Sequence, residues 1–238
     1  MKKLIVCCFI LLSSIVTFAQ VSIGLSAGAN LSAMSISLRD LSSFRIKPIM
    51  GYNAGLVVDL KLNDNLSIWS GLSVAQKGFN QHIRYYYAPP RVDSTADMTS
   101  RITYLEIPVY LKFNTNMKNG NLFYGIGPYL SYGILGDIKT IITGRNNASF
   151  SDKIKFDKIY DNINSDLVNS YGYTRIKRLD YGVGTMLGVK INNIILTASY
   201  KYGLHNLMWE YFQDEKMNNS SLSLSIGYMF NKNIQKNL

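Results

Sequence analysis

Cysteine is almost missing from this chain: two in 238 residues, Cys7 and Cys8. Both fall within the first eight positions, so the rest has neither a disulfide scaffold nor a thiolate metal site. Histidine is as scarce, with only His82 and His205, and no acidic residues cluster beside them. No metal centre is expected from such a donor set. Charged residues make up 17 % of the chain, below the roughly 25 % of a typical soluble domain. Beyond residue 20 no apolar run approaches the roughly 18 residues of a spanning helix. G-x-S-x-G, P-loop and dinucleotide fingerprints are absent, so no cofactor is expected. No basic stripe is interleaved with stacking aromatics, which argues against nucleic acid as a partner.

Tyrosine and glycine are plentiful, at 17 and 18 residues, and the hydrophobic share is 47 %. Lys2 and Lys3 precede an apolar stretch over 4–12, and Thr17-Phe18-Ala19 is a small-x-small site. This predicts a signal peptide over 1–19, cleaved after Ala19, and a mature domain over 20–238. Losing Lys2 and Lys3 takes the net charge from +10 to +8. An exported chain without spanning helices can still cross a membrane, as a closed barrel.

Period-two alternation recurs eight times. Val21, Ile23, Leu25, Ala27, Ala29 and Leu31 alternate with Ser22, Gly24, Ser26, Gly28, Asn30 and Ser32. Equivalent runs cover about 50–62, 66–77, 104–113, 122–134, 179–191, 194–205 and 221–230. Each reads as a strand with one apolar and one polar face. Short connections (Asn63-Asp64-Asn65, 115–120, Asn192-Asn193) alternate with long ones over 33–48, 80–101, 137–178 and 206–219. That is the plan of an outer-membrane barrel. The fold class is therefore all-β: an eight-stranded antiparallel up-and-down transmembrane β-barrel with long extracellular loops. An even strand count puts both mature termini on the short-turn, periplasmic side.

The polar face lacks the Lys/Glu density of a watered surface, and its small residues suit a cramped lumen. The apolar face carries aromatics at its ends. Phe113, Tyr228 and Phe230 lie at the short-turn end and Tyr52, Tyr132 and Tyr181 at the other, as two interfacial girdles. The lumen-facing charged set is Asp59, Lys77, Glu106, Lys112, Asp180, Lys190 and Lys201, with His205 beside it. Buried charges must pair. Lys77 is the favoured partner of Glu106, with Lys201 the alternative. The register through Asn192-Asn193 sets Asp180 opposite His205, as a structural pair rather than a catalytic dyad. In the 137–178 loop eight Lys/Arg outnumber five Asp, and Ile159, Ile163 and Leu167 recur at helical spacing.

Several segments resemble the PorT-like family of outer-membrane β-barrel proteins. They are Gly28-Ala29-Asn30-Leu31-Ser32, Tyr104-Leu105-Glu106-Ile107-Pro108, Gly125-Ile126-Gly127-Pro128-Tyr129-Leu130-Ser131, Asp180-Tyr181-Gly182 and Leu224-Ser225-Ile226-Gly227-Tyr228-Met229-Phe230. The resemblance implies an eight-stranded barrel in the outer membrane of a Gram-negative envelope, and one class of such proteins is linked to type IX secretion. The aromatic end at Phe230 resembles the terminal signal read by the barrel assembly machinery. The sequence thus points to a non-enzymatic barrel presenting long loops for interaction or envelope assembly. The alternatives are a narrow pore for small solutes and, behind it, an enzyme acting on lipid or peptide. Outer-membrane lipid and lipopolysaccharide suit the basic balance, and an envelope or secretion-system protein is the expected partner class.

Overall fold

The computed structural model describes residues 20–37, 44–86, 93–144, 147–156, 175–209 and 216–230. The expected signal peptide over 1–19 and the Ile159, Ile163, Leu167 spacing lie outside the described residues. Among the described residues nine strands form: β1 (Gln20–Ser37), β2 (Phe44–Lys61), β3 (Leu66–Tyr86), β4 (Asp93–Met117), β5 (Gly120–Thr143), β6 (Ala148–Lys153), β7 (Leu179–Ile191), β8 (Ile194–Gly203) and β9 (Lys216–Phe230). Eight close an antiparallel ring, β9 pairing with β1 and β5 with both β4 and β7. β6 stands outside the ring, paired to the upper half of β5 alone.

The alternation sets the faces. Leu187 is 54 % exposed while its neighbour Met186 is 4 % exposed. Leu222, Leu224, Ile226, Tyr228 and Phe230 on β9, and Leu105, Ile107, Val109 and Leu111 on β4, all point outward and stay exposed. Such a band, about nine residues tall on each strand, matches the span of a tilted strand through hydrocarbon.

Above the band the pattern inverts. Inward positions become mainly apolar (Phe79, Ile83, Ala96, Met98, Ile102, Ile138, with Gln81, Ser100 and Thr140 among them) and outward ones mainly polar (Asn80, Asp97, Thr99, Arg101). β4 runs for 25 residues and β5 for 24, against 10 in β8. At about 3.3 Å per residue and a tilt near 40°, 25 residues rise roughly 60 Å, well past an apolar band about 25 Å tall. The expected loop over 80–101 is therefore mostly strand, and 137–178 opens with the end of β5 and all of β6. One wall of the barrel, β3 to β6, is tall; the β7–β9 side is short.

Two apolar clusters fill the barrel ends. Val57, Trp69, Tyr110, Phe123, Met186, Ile195 and Met229 pack near the short turns, with the Trp69 and Phe123 rings stacked at 5.6 Å. Met34, Phe79, Met98, Ile102, Ile138 and Met217 pack at the long-strand end. There Ile154, Ile176, Leu207 and Met208 drop in from the connections and complete the plug on the short side. Backbone bonds fix them: Ile154 N donates to Gly136 O at 3.0 Å, Ile176 N to Lys155 O at 3.2 Å and Lys177 N to Leu207 O at 2.7 Å.

The short turns are built by asparagine. Asn192 adopts φ 53° in the two-residue turn between β7 and β8, a conformation asparagine tolerates well. Asn63 Oδ1 accepts from the N–H groups of Asn65 and Leu66 at 3.0 and 2.8 Å, and Lys61 pairs with Asp64 at 2.9 Å.

Candidate functional site: the paired lumen and the strand rim

Between the two plugs the lumen is polar. Period two places Lys77 from β3, Glu106 from β4, Ser131 from β5, Asp180 from β7, Lys201 from β8 and Asn219 from β9 on the inward face. Glu106, with no exposed surface, is the hub. Its Oε2 meets Lys77 Nζ at 2.6 Å and accepts from Ser131 Oγ at 2.9 Å; its Oε1 takes the Lys201 ammonium. Both lysines named for Glu106 therefore bind it, one to each oxygen.

Lys77 continues the chain. Its Nζ lies 3.8 Å from Asp180 Oδ2 and over the rings of Tyr129 and Tyr104 at 4.8 and 5.3 Å. Asp180 Oδ2 accepts from Asn219 Nδ2 at 2.9 Å and Tyr129 OH at 3.3 Å. Residues from three of the motifs quoted above thus meet in one network: Tyr104 and Glu106, Tyr129 and Ser131, and Asp180, with Asn219 of β9 joining them through Asp180.

A second, smaller site sits nearer the short turns. Lys112 binds Asp59 and lies over the Trp69 and Phe123 rings at 4.9 and 4.8 Å. Lys190 shares the inward face beside Asn121 of β5.

His205 does not join Asp180. The β7–β8 ladder ends at Gly182 opposite Gly203, and Leu204 N and His205 N both turn onto Tyr181 O, at 2.9 and 3.3 Å. The alternation breaks there, so the ring swings outward. It stacks on Tyr181 at 4.9 Å and bonds Leu179 O through Nδ1 at 2.8 Å. Gly203 is the inward residue instead, and a Cβ on it would come within 2.8 Å of Asp180 Oδ1.

Tyr129, Tyr104, Asn219, Trp69 and Phe123 also belong to the lumen. Parity alone would have placed them, since all five sit on inward positions. Tyr104 already falls on the polar face of its run; Tyr129, Trp69 and Phe123 are hidden by their aromatic character, and Asn219 by the expected connection over 206–219.

A cavity of about 80 Å³ lies beside the network, lined by Asn30, Asn53, Ser199, Lys201, Ser223 and Tyr110 among others. That is room for a few waters. Its lining comes from β1 to β4 and β7 to β9, with serines from β8, β9 and β1 and the larger Trp69, Tyr110 and Met186 from β3, β4 and β7.

At the rim, all six girdle aromatics lie on or near the outer face. Phe113 stacks on Tyr124 at 5.1 Å, and Tyr228 meets Phe230 edge-on at 5.4 Å. Tyr52 is exposed opposite Ala29. Tyr132 accepts from Arg178 Nη1 at 3.3 Å, and Tyr181 carries His205.

Several solved structures are similar to the chain at low identity. Ail, the attachment invasion locus protein of Yersinia pestis, is 16 % identical, covering 89 % of this chain and 99 % of that one, with a TM-score of 0.39. OprG of Pseudomonas aeruginosa is 13 % identical over 89 % and 96 %, with a TM-score of 0.43. Neisserial surface protein A is 14 % identical over 89 % and 99 %, with a TM-score of 0.38. No curated protein matches the chain. Residues 18–208 match the family described as outer membrane protein beta-barrel domain. The ring of strands, the exposed apolar band and this match over most of the chain agree: the protein belongs to the outer membrane protein beta-barrel domain family.

Proposed function

We propose that this outer-membrane barrel is a non-enzymatic, loop-presenting protein of the PorT-like kind, acting through contacts made above the membrane. Its long connections face outside, both termini face the periplasm, and its partner is an envelope or secretion-system protein. The observation that carries the reading is the filling of the barrel. Apolar clusters pack both ends, and a fully paired Glu106 hub occupies the middle. A lumen so occupied offers a solute no continuous polar path. Binding capacity then resides on the rim, where the tall wall carries polar residues on a rigid sheet.

The histidines support the non-enzymatic reading. His82 is held by Asp97 at 2.8 Å and His205 by Leu179 O. Neither of these hydrogen bonds goes to a hydroxyl or another nucleophile, as a catalytic base would require.

Cross-linking in native outer membranes, followed by co-purification, tests the proposal. A discrete protein recovered with the barrel, and lost when Ser149→Trp crowds the rim, is the expected result. Planar-bilayer recording tests the pore alternative. Steady conductance in the wild type, unchanged by rim substitutions, would move the function into the lumen.

A further inference from the structure

β6 has a consequence at the membrane surface. Its register sets Lys153 beside Asp137 of β5, and Asp137 in turn sits beside Arg101 of β4. The next outward positions are Lys139, one step up β5, and Lys155, exposed just beyond the end of β6. Arg101, Lys139, Lys153 and Lys155 are all exposed, and Asp137 is the one acid among these five positions; Asp97, two outward steps up β4, is held on His82, and Asp152 is exposed on the alternate face of β6. With strands about 4.8 Å apart and alternate residues about 6.8 Å apart, these groups cover a patch of roughly 10 by 14 Å. Arg178 extends it downward, held over the rings of Tyr132 and Phe156 at 5.3 and 4.9 Å. Among the described residues its Nη1 donates to Tyr132 OH at 3.3 Å.

The patch stands where the outward face changes from apolar to polar. Leu135, directly below Asp137 on β5, is 67 % exposed. Cations above, an apolar wall below and a tyrosine at the boundary match a ligand with phosphate on its headgroup and acyl chains beneath. No comparable outward cluster forms on β9, where Ser220 and Asn218 follow Leu222.

We infer that the outer face of β4, β5 and β6 is a binding site for the phosphorylated glycolipid of the outer leaflet, lipopolysaccharide. Its phosphates are held by Lys139, Lys153, Lys155 and Arg101, with Arg178 at the lower edge. The acyl chains lie on Leu135 and the band below. β6 exists in this reading to bring two lysines to the membrane surface, which a bare eight-stranded ring would not do. The inference rests on the outward orientation proposed above and adds a ligand to it.

The test uses the full chain refolded in zwitterionic detergent, so it does not depend on orientation in the cell. Purified lipopolysaccharide, a dephosphorylated preparation of it, and phosphatidylglycerol are offered separately, and the lipid retained through purification is counted by native mass spectrometry. The expected result is retention of the phosphorylated glycolipid. Lys139→Gln/Lys153→Gln/Lys155→Gln should weaken that retention by about tenfold to a hundredfold. Lys61→Gln/Lys118→Gln, at the short-turn end, should keep it. Arg178→Gln serves as the second variant should the triple variant lose the heat-dependent shift of a folded barrel, and it should weaken retention a few-fold. Undiminished retention by the folded variants overturns the site. Equal retention of the dephosphorylated lipid overturns the role of phosphate, and equal retention of phosphatidylglycerol overturns the choice of glycolipid. Labelling of Ser149→Cys on intact cells reads orientation separately, so a failure of that premise is distinguishable from a failure of the site.

Discussion

Glu106→Gln tests whether the barrel depends on its lumen network. The substitution keeps the volume and removes the charge. Two ammonium groups, with side-chain exposures of 2 % for Lys77 and 14 % for Lys201, then lose their carboxylate. Breaking a buried pair by removing one partner costs about 3–5 kcal/mol. Two features of the lumen bring the cost toward the lower figure. Lys77 keeps Asp180 at 3.8 Å and the faces of Tyr129 and Tyr104. Lys77, Glu106 and Lys201 all line the 80 Å³ cavity, and Lys201, the more exposed of the two lysines, is the one water there solvates better. A loss near 3 kcal/mol is therefore the expected value. The two lysines should differ in their coupling to Glu106: a double-mutant cycle with Lys77→Met should return about 2–3 kcal/mol and one with Lys201→Met about 1 kcal/mol. Reversible urea unfolding in lipid vesicles, followed by the electrophoretic shift between heated and unheated barrel, measures both. Glu106→Gln within about 0.5 kcal/mol of wild type would refute the reasoning, since a desolvated hub cannot lose its charge at so little cost.

Other outcomes follow from the same geometry. Leu187→Arg, on the exposed apolar band, should destabilise the inserted barrel by roughly 2–4 kcal/mol in the same unfolding assay, with Leu187→Ala costing far less. Met186→Ala, one residue away inside the lower apolar cluster, should cost about 2–4 kcal/mol by leaving a cavity beside Trp69 and Phe123. Ile176→Ala should loosen the upper plug by a similar amount and speed hydrogen exchange at Lys177, whose N–H donates to Leu207 O. Asn192→Val should cost about 1–2 kcal/mol because a β-branched residue resists φ 53°, while Asn192→Gly should be close to neutral.

The lower barrel was legible because its rule is simple. Lipid outside and a cramped lumen inside give apolar-out, small-or-polar-in along the strands; Val21 to Ser32 displays it without a break, and Leu179 to Ile191 with a single interruption at Thr185 and Met186. The upper barrel was not, and the reason is the inversion at the membrane surface. On β4, Leu105, Ile107, Val109 and Leu111 carry the apolar phase on odd numbers, whereas Ala96, Met98 and Ile102 carry it on even ones. A reading that follows one apolar phase meets a phase break near Thr103 and ends the strand there. The backbone continues because the inward side stays buried; only the solvent on the outward side has changed from lipid to water. The structure also has a register shift between Thr103 and Tyr104 at this level. β6 escaped for another reason. Ala148–Lys153 carries only Ala148 and Phe150 as apolar residues, and both faces of so short a strand stay largely exposed, so no apolar face is there to read.

The same inversion explains why the charged residues of the two levels differ in kind. Within the band a charge has one place to go, inward, and there it must meet an opposite charge; hence Lys77 and Lys201 on Glu106, and Lys112 on Asp59. Above the band the interior is apolar and charges face water, where they need no partner to be tolerated. Lumen charges are consequently committed to holding the walls together, and each is consumed by its neighbour. Rim charges such as Lys139 and Lys155 contribute little to the barrel and are left to engage something outside it. His205 illustrates the boundary: two residues short of the rim, at Gly203, the inward position still faces Asp180, but once the ladder ends the imidazole lies on Tyr181 at the outer surface. Stability and recognition are in this way separated along the barrel axis, and substitutions at the rim should change binding without the folding cost that the lumen imposes.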